Sequence, residues 1–107
     1  MGLLDKVKKV VDDSVKKMKY KQKEKEIKEV LLHRFAMWQL ERICVAKKIS
    51  PMVEGKRGKR RAKTKNELVP KLMRLEIKDI IRYAKKFNVK YEDLIEELEE
   101  YKKSLGL

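Results

Sequence analysis

One cysteine and one histidine are the only thiol and imidazole ligands in this 107-residue chain. A lone Cys44 excludes an internal disulfide and fits a reducing compartment, so a cytoplasmic protein is expected. Cys44 and His33 would need carboxylates to complete a zinc shell, and no structural zinc or other cofactor is expected. Long apolar runs are also missing: no stretch of about 18 such residues occurs, and no membrane span is expected. The first residues lack the apolar core of a signal peptide. There is no glycine-rich phosphate loop ending in Lys-Ser/Thr and no Cys/His pair for nucleophilic chemistry. Side-chain amides are scarce, with two Asn and two Gln among many Lys, Glu and Ile. That balance leans toward a hyperthermophile; an archaeal or viral thermophile is the expected source.

Charge is what the chain has most of. Thirty Lys and Arg face seventeen Asp and Glu, a formal net charge of +13. Apolar residues still make up 42%, enough for one modest core. The excess is not even. Residues 1–29 carry net +4, residues 30–49 net +3, residues 50–75 net +7, and residues 76–107 net −1. More than half of the positive excess therefore lies in one quarter of the chain, which implies a localised anion-binding surface.

The apolar spacing predicts an all-α fold of four to five helices. Leu3, Leu4, Val7, Val10, Val11, Val15 and Met18 recur every three or four residues, an N-terminal amphipathic helix over residues 3–18. Residues 19–29 read as a charged helical connector, so residues 1–29 form an appendage and residues 30–107 the domain. A central helix is expected over 27–49, ended by Ser50-Pro51 because the residue before proline is pushed from helical geometry. Trp38 could stack on a base, but it falls inside that apolar helix and is expected in the core, as is Cys44. His33 has no ligand partner at useful spacing and is expected to be structural or exposed. Pro51, Gly55 and Gly58 make residues 51–63 a loop.

Thr64-Lys65-Asn66-Glu67 has the form of a capping box. A helix from Lys65 would turn Leu68, Val69, Leu72 and Leu75 inward, with Pro70 kinking it or making its first turn irregular. Further helices are expected over residues 77–87, closed by Asn88 in a left-handed cap, and over residues 92–105, stopped by Gly106.

Seven of the eleven residues from Gly55 to Lys65 are Lys or Arg. This run is held between two expected core helices. It mixes Arg, whose planar fork suits phosphate, with Lys. It also leads into a helix start, where unpaired amides favour an anion. Lys56, Arg57, Lys59, Arg60, Arg61, Lys63, Thr64, Lys65 and Lys71 are the expected DNA-binding residues.

Here the sequence resembles a known family. Residues 64–72, Thr-Lys-Asn-Glu-Leu-Val-Pro-Lys-Leu, look like the second helix of the SAP motif, a helix–extended loop–helix DNA-binding module. That helix typically runs Gly-x-Lys-x-Glu-Leu-Ile-x-Arg-Leu, and Lys65, Glu67, Leu68, Val69, Lys71 and Leu72 occupy the matching positions. Residues 40–49 would be the first SAP-like helix, so the resemblance covers residues 40–75. It implies binding of double-stranded DNA through the loop and the start of the second helix. The chain departs from the pattern in a longer loop, in Lys63 replacing the customary glycine, and in Pro70.

Two other readings fit less well. Residues 80–95 have a helix-turn-helix rhythm, but the recognition helix would present Glu92, Asp93, Glu96, Glu97, Glu99 and Glu100 to phosphates, which is electrostatically backward. Catalysis would need a clustered acidic metal site with a nearby lysine; the acidic last helix could contribute one, but nothing fixes its geometry. The expectation is a non-enzymatic double-stranded DNA-binding protein, architectural or regulatory, associated with a nucleoid or a virus. RNA stays open as a ligand, although few aromatics besides Tyr20 are expected outside the core for stacking. The alternative is a protein- or membrane-surface interaction module using the N-terminal helix. Residues 3–18 could pair in a homodimer, and the acidic helix 92–105 could meet a protein partner.

Overall fold

A computed structural model describes the backbone of residues 3–107 and the side chains of residues 13–107. The elements are α1 (Leu3–Arg34), α2 (Met37–Ala46), β1 (Met52–Gly55), β2 (Gly58–Arg61), α3 (Lys65–Leu72), α4 (Ile77–Lys86) and α5 (Glu92–Ser104). The chain is mostly helical, but the all-α expectation needs one correction. Residues 51–63 are not a loop; most of them form an antiparallel hairpin. Its strands pair Met52 with Arg61, Val53 with Arg60, Glu54 with Lys59 and Gly55 with Gly58. The Ala62 amide donates to the Pro51 carbonyl at 2.9 Å and carries the ladder to the base. Apolar alternation could not announce these strands, because β2 is wholly exposed and mostly basic.

α1 runs unbroken through the expected connector and across residues 29 and 30. The side chains of Leu3, Leu4, Val7, Val10 and Val11 lie outside the described residues. Val15 and Met18 are exposed, Met18 at 70%. The expected central helix over 27–49 is in fact two helices. Residues 27–34 finish α1, and the ladder stops at Phe35 and Ala36. Ala36 takes an extended conformation, and its amide donates to the Gln39 side-chain oxygen at 2.8 Å. Phe35 turns fully into the core.

The end of α2 is also earlier than expected, at Ala46 rather than at Ser50-Pro51, so the first SAP-like helix over 40–49 is shifted toward the N-terminus. Lys48 adopts a left-handed conformation with φ 56°. The Ile49 amide then donates to the Cys44 carbonyl at 2.8 Å and the Lys48 amide to Val45 at 3.2 Å. This is a Schellman closure. It recurs at α4, where Asn88 has φ 57° and Val89 donates to Ala84, and at α5, where Gly106 has φ 75° and Leu107 donates to Lys102. Asn88 and Gly106 suit that geometry; Lys48 does not.

The core gathers Ile27, Leu31 and Leu32 of α1 with Phe35, then Leu40, Ile43 and Cys44 of α2. Leu68, Val69 and Leu72 of α3 close it from one side, with Ile80, Ala84, Leu94 and Leu98 from the last two helices. Burial pushes the Cys44 thiol above its ordinary pKa, which suits its role as a small apolar filler. Tyr20 is half-buried against this core rather than free for stacking.

Long cations stitch the elements together. Lys28 donates to the Met73 and Leu75 carbonyls, each at 2.8 Å, at the end of α3. Arg34 makes a two-pronged bond to Asp93, 2.8 Å on each prong, and also reaches the Lys90 carbonyl at 3.0 Å. That clamp ties the end of α1 to the start of α5. The guanidinium bond to Asp93 holds the carboxyl near pKa 2, down from 3.8.

Two outcomes test this frame. Lys48→Gly relieves the left-handed strain and should stabilise the chain by about 0.5–1 kcal/mol in thermal unfolding, whereas Asn88→Ala should destabilise it. Asp93 has a folded pKa below its unfolded one, so its contribution is complete above about pH 4 and fades as pH falls toward about 2. Asp93→Asn should therefore lower the melting temperature near neutral pH, and the gap to the native chain should narrow on acidification through that window.

Candidate nucleic-acid interface

Cations crowd the hairpin: five of the ten residues from Met52 to Arg61 are Lys or Arg. Lys56 and Arg57 form its tip, joined by an ordinary negative-φ turn that Gly58 completes at φ 103°. Strand alternation places Val53 and Arg60 on one face and Met52 and Arg61 on the other. Val53 packs against the core and Ala62 is buried in it, which anchors the base.

The expected DNA-binding residues divide into two groups. Lys56, Arg57, Lys59 and Lys63 are exposed and make no hydrogen bond or ion pair among the described residues. The other five have work inside the fold. The Arg60 stem lies along Gly55, where an added Cβ would meet its Cγ and Cδ at 3.2 Å, and its guanidinium stands 2.9 Å from Glu67 Oε2. That oxygen is shut off from solvent and accepts no hydrogen bond, so the Arg60 charge is its compensation. Arg61 reaches Glu41 of α2 at a loose 3.4 Å. Lys65 donates to the His33 carbonyl at 3.1 Å, in the last turn of α1 where the helix dipole favours a cation. Lys71 donates to the Ser50 carbonyl at 3.0 Å.

Thr64 stands at the start of α3 as expected, but the reciprocal capping box does not form. Its hydroxyl donates to Glu67 Oε1 at 3.2 Å and accepts no helix amide. Glu67 is drawn off by Arg60 and cannot reach back to the Thr64 amide. The start of α3 thus already holds a carboxylate of the chain itself, which argues against an external anion there. The helix also continues through Pro70, which is exposed, as is Asn66, whose carbonyl the proline cannot serve.

Trp38 overturns its core assignment. It is 53% exposed on the outer face of α2. The break at Phe35 and Ala36 sets the register of α2, so Leu40, Ile43 and Cys44 point inward and Trp38, Arg42 and Val45 outward. Its ring meets Phe87 edge-on, 5.5 Å between centroids, and the Arg42 guanidinium lies 5.5 Å over it. Tyr83 stacks with Phe87 at 6.4 Å and 17°. A groove of about 530 Å³ opens here between α2 and α4, and Arg61 and Lys86 also line it. The one signal in the sequence was Trp38, Arg42 and Val45 sharing a helical face, which an apolar-window reading blurs.

Among the described residues no three His, Cys, Asp or Glu come together as a metal site, and no helix is long and apolar enough to cross a membrane. No protein-family model, no curated protein and no solved structure matches the chain.

The Arg60–Glu67 pair has an asymmetric signature. Arg60→Ala strands a sheltered carboxylate and should cost about 1–3 kcal/mol in thermal or denaturant unfolding. Glu67→Ala should cost less, and the double variant should be no less stable than Arg60→Ala alone. Thr64→Ala, losing one weak 3.2 Å bond from an exposed hydroxyl and no helix-amide cap, should cost less than about 0.5 kcal/mol, below the usual cost of a lost cap.

Proposed function

We propose that the chain binds double-stranded DNA without catalysing a reaction on it, using the hairpin as a phosphate grip. The observation that carries this reading is the set of four unpaired cations, Lys56, Arg57, Lys59 and Lys63, on one projecting ribbon and its exit. Cations already engaged by carboxylates or carbonyls lose those partners on binding; these four do not. A two-stranded ribbon also matches the roughly 12 Å width of a B-DNA major groove. The SAP-like resemblance of residues 64–72 implies the same ligand, with a β-ribbon between α2 and α3 where that family has an extended loop. Arg60, Lys65 and Lys71 then act as braces that aim the grip, and Arg61 stands between brace and contact.

Phosphate contacts confer affinity and position but little sequence preference. An architectural protein of a nucleoid or virus, or the DNA-anchoring part of a regulator, is the role that follows. Exposed Val15 and Met18 on α1 support a second role for that helix, pairing with another copy. The exposed Glu92, Glu96, Glu99 and Glu100 of α5 offer a protein partner an acidic surface.

Four phosphate contacts predict a log–log salt slope of about −3.6 on duplex DNA. Replacing Lys56 and Arg57 with Ala should flatten that slope by roughly two units, equally for unrelated sequences. Replacing Lys102 and Lys103, an equal loss of charge on exposed α5, should change it far less. Equal effects from both pairs would reduce the interaction to net-charge attraction and remove the hairpin grip.

A further inference from the structure

The hairpin explains only one part of the basic surface. The groove between α2 and α4 has a different chemistry. Its floor is aromatic, with Trp38, Tyr83 and Phe87, and its rim is cationic, with Arg42, Arg61 and Lys86. One carboxylate, Glu41, lies among them and is already opposed by Arg61. An exposed tryptophan with an arginine plane over it is costly surface for a chain with only one tryptophan. The surface is also continuous with the proposed phosphate grip, because Arg61 both ends β2 and lines the groove.

We propose that this groove takes an unstacked base of single-stranded DNA, the base against Trp38 and its flanking phosphates on Arg42, Arg61 and Lys86. The assignment rests on the DNA-binding reading and extends it from duplex to the unpaired strand beside it. Two features favour a nucleotide over a peptide. The rim offers three cations on long, mobile side chains, matched to phosphates on either side of one base. Aromatic and guanidinium planes stack on any base without reading its edge, so the groove adds affinity for unpaired strand with little sequence preference. Loosely tied Arg61 can leave Glu41 for a phosphate without leaving a buried charge behind, since both side chains keep solvent contact.

The single tryptophan makes the test direct. The full chain is titrated with a fluorescently labelled 15-nucleotide single strand, with an abasic strand of the same length, and with the blunt duplex. Trp38 emission and DNA anisotropy are followed together. The single strand should quench Trp38 strongly, the abasic strand and the blunt duplex should bind with little quenching. Trp38→Ala should weaken single-strand binding about tenfold and change duplex binding less than twofold, and Trp38→Phe should recover most of the loss. Trp38→Ala also loses the edge-on contact with Phe87, so a small fall in melting temperature is expected. Affinities are compared well below it, and Trp38→Phe, which keeps an aromatic ring there, separates lost stacking from lost stability. Single-strand binding without quenching, equal quenching by the abasic strand, or unchanged affinity in Trp38→Ala would each overturn the proposal. Failure of the duplex to bind at all, with quenching by the single strand intact, would instead count against the hairpin reading and leave the groove standing.

Discussion

At Phe35 the helical ladder stops and the phenyl ring goes into the core with no exposed surface, edge-on to Phe87 at 6.3 Å. A continuous helix through residue 49 would have carried Leu40 and Ile43 on past the end of α1 and away from α3. The turn at Ala36 instead brings α2 back against α3, and α1 separately against α3, α4 and α5. The hairpin rises from between α2 and α3, and the groove opens between α2 and α4. Both proposed contact surfaces therefore depend on where α2 points, and that direction is set by burying one aromatic ring.

A chain of net charge +13 must also keep its cations from unfolding it by mutual repulsion. Part of the answer is that several cations are engaged inside the fold, away from the proposed contact surfaces. Lys28, Arg34, Lys65 and Lys71 all donate to backbone carbonyls distant in sequence. The first two and Lys71 reach connections between elements, and Lys65 reaches His33 in the last turn of α1. These carbonyls lie at helix ends and turns, where no ladder partner exists. Each bond therefore neutralises a partial negative charge and joins two distant parts of the chain. Among the described residues, four unpaired cations stand close together on the hairpin and its exit, where the solvated tip tolerates their repulsion. Lys16, Lys17, Lys19, Lys21 and Lys25, unpaired among the same residues, are spread along α1.

Much of this was legible in the residues. The starts of α3, α4 and α5, the left-handed Asn88 and the inward set of Leu68, Val69, Leu72, Ile80, Ala84, Leu94 and Leu98 all follow from apolar period and turn chemistry. The corner at Ala36 was not, because alanine carries no cap signal and its amide is satisfied by Gln39 three residues on. The hairpin was not, because strands built of Lys and Arg show no apolar alternation; Gly55 and Gly58, two residues apart across Lys56-Arg57, were the only trace. Lys48 in a left-handed turn was hidden for the opposite reason: an unsuited residue is held there by Ile49 folding back onto the end of α2.

Composition and spacing by themselves determined a mostly helical chain, one modest core, and a positive excess concentrated near residues 56–65, since these depend only on residue type and local period. Which of those cations are unengaged was decided by the tertiary structure alone. Arg60 and Lys59 are neighbours of like charge, yet strand alternation turns one to a sheltered Glu67 and leaves the other in water. Trp38 belongs to the same class of question. Its place outside the core follows from the register of α2 after the Ala36 turn, a packing outcome at which the shared helical face of Trp38, Arg42 and Val45 only hints.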